Sequence, residues 1–190
     1  MTLSQFHPYL SPEAYLEAEK SSLNKHEYIQ GQIYAMSGAS DADVTITTNL
    51  ITLLRNHVRG TGCRLYATDM KAHIESLNIF YYPDILVTCD PRDIKFEYFK
   101  RYPCLIIEVL SPSTEAFDRG DKFIDYQELE TFQEYVLISQ SRQRVDCFRR
   151  NVEGRWVLYS YKENQELQLI SLNFACSLTD IYEDVSFPKT

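Results

Sequence analysis

Apolar positions change their spacing several times along this chain, and the changes divide it into elements. Within residues 44–58, Val44, Ile46, Leu50, Ile51, Leu53, Leu54 and Val58 recur at helical intervals. They predict an amphipathic helix of about four turns, closed by Arg59-Gly60-Thr61-Gly62. An earlier helix is announced by Ser11-Pro12-Glu13, with Ser as cap, Pro at the first helical position and an acid in the first turn. It carries Tyr15, Leu16 and Ala18 and ends near Ser21-Ser22. Two short apolar runs, 26–29 and 32–36, flank Gln30-Gly31 and predict a β-hairpin, and residues 37–43 read as a small polar loop. Strands are predicted over 63–67, 70–74 and 80–88, with a turn over 89–93 and no clear period over 94–101. Residues 104–110 are apolar on both faces except at Glu108, the pattern of a strand inside a sheet covered on both sides. Residues 115–130 read as one helix with Phe123, Tyr126 and Leu129 on one side. A buried strand over 134–138 follows, then a hairpin of 144–149 and 156–161 around Asn151-Val152-Glu153-Gly154. A strand over 167–172 and a short helix over 178–182 complete the order.

This order predicts a mixed α/β domain, a central sheet with helices on its faces. The 190 residues suit one domain spanning 1–190, long enough to bury a sizeable core. The formal charge of −8 gives no bulk attraction to nucleic acid, so any such contact needs a local basic patch or bridging cations. The fourteen Tyr and ten Phe read as core and interface residues before they read as a stacking platform.

Cys63, Cys89, Cys104, Cys147 and Cys176 are odd in number and contain no C-x-x-C pair, which argues against zinc and against a disulfide framework. Buried free thiols are the expectation. Residues 1–10 carry neither a basic start nor an apolar core of a leader, and no apolar run has the length of a membrane span. A reducing cytoplasm is the default location.

The candidate chemistry lies between Tyr81 and Tyr126. Asp84 and Glu108 each sit inside an apolar run. By alternation Cys104, Ile106, Glu108 and Leu110 share one face of their strand. A carboxylate buried there unpaired would cost several kcal/mol, so it calls for a cation. Two such carboxylates on neighbouring strands suit Mg²⁺, which keeps several waters and takes one or two protein carboxylates plus substrate phosphate. Such an ion activates water and neutralises charge on a phosphodiester, and a nearby lysine adds to that. A buried salt-bridge cluster is the other reading, since Asp118 and Lys122 stand four apart on one predicted helix.

Several segments resemble a known family. They are Tyr82-Pro83-Asp84-Ile85, residues 107–114 (Ile-Glu-Val-Leu-Ser-Pro-Ser-Thr), and Asp118-Arg119-Gly120-Asp121-Lys122 with Tyr126 and Glu134-Tyr135 after it. Lys25-His26-Glu27-Tyr28-Ile29-Gln30-Gly31 and Gly38-Ala39-Ser40 extend the likeness. Together they resemble the Uma2 family of the PD-(D/E)XK restriction-endonuclease-like superfamily, over nearly the whole chain. The resemblance implies a restriction-endonuclease-like central mixed β-sheet flanked by helices, with an N-terminal helix and hairpin and a β-rich C-terminal part. It implies that Asp84 and Glu108 bind the metal, with the backbone carbonyl of Val109 as an extra ligand. The superfamily's usual lysine position, two after the second acid, is Leu110 here, and Lys122 is the displaced substitute. Glu27 becomes a candidate third carboxylate, or else a solvated hairpin charge. Asp69 and Lys71 match a D-x-[RK] pattern that either supports the site or marks exposed strand-end charges. Gln30, Gln32 and Asp43 stand where many relatives have Asp, Glu and His.

The functional expectation is a Mg²⁺- or Mn²⁺-dependent endonuclease that hydrolyses DNA, with Asp84, Glu108, Lys122 and Glu27 as its site. A homodimer suits cleavage of both strands of a duplex. The alternatives are a catalytically weakened nuclease-fold domain that binds a protein or nucleic acid, and a metal-free hydrolase using paired carboxylates as glycosidases do.

Overall fold

The structure, a computed structural model, describes residues 9–187. Residues 1–8, part of the stretch in which no leader is expected, lie outside the described residues. The first helix, α1 (Pro12–Glu19), starts as its sequence dictates: Ser11 Oγ accepts from the Ala14 N–H at 3.2 Å. β1 (His26–Ile29) and β2 (Gln32–Ala35) form the hairpin. Its two turn residues, Gln30 (φ 49°) and Gly31 (φ 95°), both take the positive φ that a two-residue hairpin turn requires. A Cβ at Gly31 would stand 2.2 Å from a ring carbon of Tyr9, so the turn needs glycine. The second helix, α2 (Asp41–Val58), begins three residues before the apolar period does. Ser40 caps it by accepting from the Asp43 N–H at 3.1 Å, and two acids stand in its first turn.

Three further strands precede Asp84: β3 (Arg64–Ala67), β4 (Lys71–Ile74) and β5 (Ile79–Tyr81). β6 (Ile85–Thr88) follows, so the expected strand over 80–88 is in fact two. Pro83 has no N–H to give a ladder, and the chain leaves one sheet for another at Tyr82-Pro83-Asp84. A 3₁₀ turn over Pro91–Lys95 and the two-residue β7 (Phe99–Lys100) occupy the stretch without a period. β8 (Pro103–Leu110) is buried at all eight positions, as its apolar run predicts.

The helix expected over 115–130 is shorter and broken. α3 (Glu115–Arg119) and α4 (Asp121–Tyr126) meet at Gly120, which has φ −112° and ψ −107°. A Cβ there would approach the Ala116 carbonyl oxygen to 3.1 Å. The chain continues through β9 (Glu134–Ser139), β10 (Arg144–Arg150), β11 (Trp156–Lys162), β12 (Glu166–Leu169), β13 (Phe174–Ser177) and α5 (Leu178–Ile181). The expected strand over 167–172 stops at Leu169 and turns into 3₁₀, and β13 had no counterpart in the sequence reading.

Two larger sheets share the core. One has the order β11-β10-β9-β8-β6-β3 and is mixed, with β8 and β9 parallel and the other pairs antiparallel. The other has the order β2-β1-β5-β4-β7. β12 and β13 form a separate ribbon. Leu105, Ile107 and Val109 of β8 face α2, packing with Ile46, Leu50 and Leu54. Ile106 and Leu110 face the other way, toward Phe123 and Tyr126 of α4 and Tyr81 of the second sheet. Cys104 departs from the expected alternation and packs on the α2 side. The irregularity between Val87 and Thr88, where Thr88 pairs with Pro103, shifts the pleat at that end.

The cysteine expectation needs correction. Cys63 and Cys89 are joined in a disulfide with 1.99 Å between sulfurs, while Cys104, Cys147 and Cys176 are free and buried. Cys63 precedes β3 and Cys89 follows β6. The antiparallel pairing of those strands, with Arg64 opposite Thr88, brings residues 26 apart in sequence into reach. No described helix is long and apolar enough to cross a membrane.

Candidate active site

The site forms where the two large sheets diverge. Asp84 stands at the crossing, immediately ahead of β6, and Glu108 lies two residues from the end of β8. Ile85 pairs with Ile107, which puts the two acids side by side on adjacent strands. The Asp84 N–H points to Glu108 Oε2 at 3.4 Å, and Asp84 Oδ2 accepts from the Val109 N–H at 2.7 Å. The exposed turn at Thr68 (φ 52°) supports this crossing from the β3 side, its N–H donating to the Asp84 carbonyl at 3.0 Å.

Lys122 comes in from α4, directly after the break at Gly120. Its Nζ lies 3.0 Å from Glu108 Oε1, 3.2 Å from Glu27 Oε1 and 3.4 Å from Asp118 Oδ1. Lys122, Glu108 and Asp118 are at most 5% exposed. Tyr126, one helical turn on, donates its hydroxyl to Glu108 Oε1 at 3.1 Å. Glu27 reaches the group from β1, and its Oε1 also accepts from the Tyr82 N–H at 3.2 Å. The structure thus brings Glu27, Asp84, Glu108 and Lys122 together. Glu27 is not a solvated hairpin charge. Both sequence readings of Lys122 coexist, because Asp118 is one of three carboxylates around it.

Three carboxylates share one ammonium here, with Asp84 beside them, and the titration directions reflect it. Burial raises Glu108 well above the ordinary carboxyl range; Lys122 opposes this, while Asp118 and Asp84 add to it. Burial also raises Asp84, against the Val109 N–H and Lys122. Burial alone would lower Lys122, but Glu108, Glu27 and Asp118 hold it well above its usual value, so it stays an ammonium. Burial and Glu108 keep the Tyr126 hydroxyl protonated and therefore a donor.

Among the described residues, no three His, Cys, Asp or Glu side chains are arranged as a ligand cage. The donor chemistry nonetheless fits a hard cation held by two carboxylates, waters and substrate phosphate. No described protein donor reaches Asp84 Oδ1, and Glu108 Oε2 has only the long contact from the Asp84 N–H. Val109 ties the site together through its N–H, and Leu110, at the superfamily's lysine position, is buried in the core.

Asp69 and Lys71 stay outside this cluster. Asp69 pairs with Lys25 at 2.6 Å, and Lys71 lies with its Nζ 4.8 Å from the Tyr82 ring centre. Sequence reasoning noted Asp43 only as a departure and missed its setting. Burial, followed by the charge of Asp84, pushes its carboxyl up to about 6, with Thr47 opposing. Gln140, just past β9, donates to Asp43 Oδ2 at 3.2 Å and accepts from Ser40 Oγ at 2.6 Å. The signal was present: an N-capping Ser40 followed by acids places Asp43 in a first helical turn. A second network beside the site was also missed, with Glu19 accepting from Tyr82 Oη at 2.8 Å and lying 2.8 Å from His26 Nδ1.

Comparison with known proteins bears on the family and the fold. The Uma2 family, described as "Putative restriction endonuclease", matches residues 12–179. Two uncharacterized proteins of Synechocystis are similar: slr1290, 42% identical over 180 residues and 95% of each chain, and sll1609, 32% identical over 164 residues, 84% of this chain and 92% of that one. A crystal structure from Anabaena variabilis, described as a putative nuclease belonging to DUF820, superimposes with a TM-score of 0.74 at 17% identity. It covers 91% of this chain and 97% of the other, and so shares the fold. The chain belongs to the Uma2 family.

Proposed function

We propose that this protein is a Mg²⁺- or Mn²⁺-dependent endonuclease that hydrolyses DNA phosphodiester bonds, acting as a single restriction-endonuclease-like domain. The observation that carries this reading is the buried excess of carboxylate around Lys122, at the crossing between the two sheets. Asp84 and Glu108 would hold the cation, with the Val109 carbonyl as a further ligand. When bound, the cation supplies an activated water and offsets charge on the phosphodiester. The chain's own groups do the rest. Tyr126 fixes one Glu108 oxygen, and the Val109 N–H fixes one Asp84 oxygen. Glu27 and Asp118 hold the Lys122 ammonium charged and oriented, as required to stabilise charge building on phosphate oxygens.

The alternative is a nuclease fold kept for binding, favoured by the net charge of −8 and by the enclosure of Lys122 among three carboxylates. One experiment separates the two. Supercoiled plasmid is incubated with the protein and millimolar-range Mn²⁺, alongside Asp84→Ala and Glu108→Ala. Nuclease activity predicts nicking that falls about a hundredfold or more in each variant. Nicking that survives both substitutions rejects the assignment, and no nicking with no Mn²⁺ uptake by calorimetry favours the binding role.

A further inference from the structure

Three sulfur atoms meet at the opposite end of the strands that carry Asp84 and Glu108. Cys63 is bonded to Cys89, and the Cys104 Sγ, near the start of β8, lies 3.8 Å from the Cys89 Sγ. Strand register brings this about: Thr88 is opposite Arg64 on one side and Pro103 on the other, so Cys89 stands between the other two. Cys89 is exposed, Cys63 is half-buried and Cys104 is buried, its thiol directed at the Val87 carbonyl at 3.4 Å.

We propose that these residues form a thiol–disulfide exchange site in which Cys89 passes between Cys63 and Cys104. The Cys104 thiolate attacks Cys89 Sγ, the Cys89–Cys104 bond forms, and the Cys63–Cys89 bond breaks. Cys63 leaves as a thiolate and takes up the proton that Cys104 released. One thiol and one disulfide are present before and after, so no oxidant or reductant is consumed. The sulfurs must close by roughly 2 Å to reach bonding distance. In the second state β6 is tied to β8 instead of to the edge strand β3. That edge strand leads into the Thr68 turn, which holds the Asp84 carbonyl, so exchange alters an anchor of the site without touching its side chains. Burial pushes the Cys104 thiol up to about 11, which keeps the attacking thiolate scarce and the exchange slow at neutral pH.

The test uses the full oxidised chain, independent of any nuclease activity. It is incubated at a series of pH values, quenched in acid, unfolded and alkylated, and the labelled cysteines are mapped. Label should begin on Cys104, Cys147 and Cys176 and then appear on Cys63 as it leaves Cys104. The rate should rise about tenfold per pH unit up to about pH 10, following the thiolate fraction. In Cys104→Ser, Cys63 should stay unlabelled throughout. Label that never reaches Cys63 in the wild-type chain overturns the proposal, and so does label reaching Cys63 in Cys104→Ser.

Discussion

Two groups of buried carboxylates in this chain are built on opposite rules. Glu134, at the start of β9, is surrounded by donors: Arg149 Nε at 2.7 Å, the Ile170 and Ser171 N–H groups at 3.1 and 2.8 Å, and Ser171 Oγ at 2.5 Å. Asp146 on β10 accepts from Ser160 Oγ at 2.7 Å, Arg119 Nη1 at 3.0 Å and Arg144 Nε at 3.2 Å. Burial alone would raise Asp146, but these donors hold it below the usual carboxyl range. Around Lys122 the proportion is reversed: Glu27, Glu108 and Asp118 share one ammonium, with Asp84 beside them. Burial of a carboxylate therefore does not mark a functional group. The marker is burial without enough donors, which leaves Asp84 and Glu108 raised and leaves room for a cation to complete the balance.

The largest effects should come from removing the partner cation or acid of each group. Lys122→Met leaves the carboxylates uncompensated, and Glu134→Ala leaves Arg149 Nε and the Ile170 and Ser171 amides without their acceptor. Each should cost about 3–5 kcal/mol in urea unfolding. Divalent cation should then tell them apart. Mn²⁺ at a hundred times its dissociation constant returns about 2.7 kcal/mol to a protein that binds it only when folded. At one fixed Mn²⁺ concentration Lys122→Met, freed of the ammonium that competes for Glu108, should gain more than the wild-type chain does, and Glu134→Ala, which keeps Asp84, Glu108 and Lys122, should gain the same as the wild-type chain. Equal rescue of the two variants would erase the distinction between the groups.

A smaller effect follows from Asp146, and its sign is fixed by the direction of its shift. Its folded-state pKa lies below its unfolded value, so its contribution is present above the unfolded value of about 4 and is lost as pH falls through the folded one. Asp146→Asn should therefore be less stable than the wild-type chain at neutral pH, by about 1–3 kcal/mol. The gap should narrow as the solution is taken below about pH 4. A gap of constant size down to strong acid would show that packing, and not the charge, is what Asn fails to supply.

The sequence exposed the acids of the site better than it exposed their surroundings. Asp84 and Glu108 were legible because a charge within an apolar run is costly without a partner, and that cost is local. Lys122 was legible mainly through the family likeness, since nothing in its spacing separates an i,i+4 pair with Asp118 from a role at the site. The crossing at Pro83 was hidden because apolar residues continue on both sides of it, and periodicity does not say which sheet a strand joins. The break at Gly120 and the earlier start of α2 are matters of one turn, set by Gly and Ser positions that an apolar period ignores. The disulfide depends on register between β3 and β6, a long-range fact that the spacing of Cys63 and Cys89 does not carry.

The smallest expected effect is the most discriminating one. Glu108→Gln keeps the shape of the side chain and the acceptor for Tyr126 while removing one of the three carboxylates around Lys122. Lys122 retains Glu27 and Asp118, so no cation is stranded. The folded-state pKa of Glu108 is raised, which means that its ionised form opposes folding increasingly as pH rises above the unfolded value. Glu108→Gln should then match or exceed the wild-type chain at neutral pH, by up to about 1–2 kcal/mol, and lose that advantage toward about pH 4. Under the nuclease reading the same substitution removes plasmid nicking. A stable, well-folded protein that has lost activity would place Glu108 on the functional side of the comparison. A variant destabilised as severely as Glu134→Ala would move it to the structural side, because a carboxylate that the fold needs charged cannot be in surplus there.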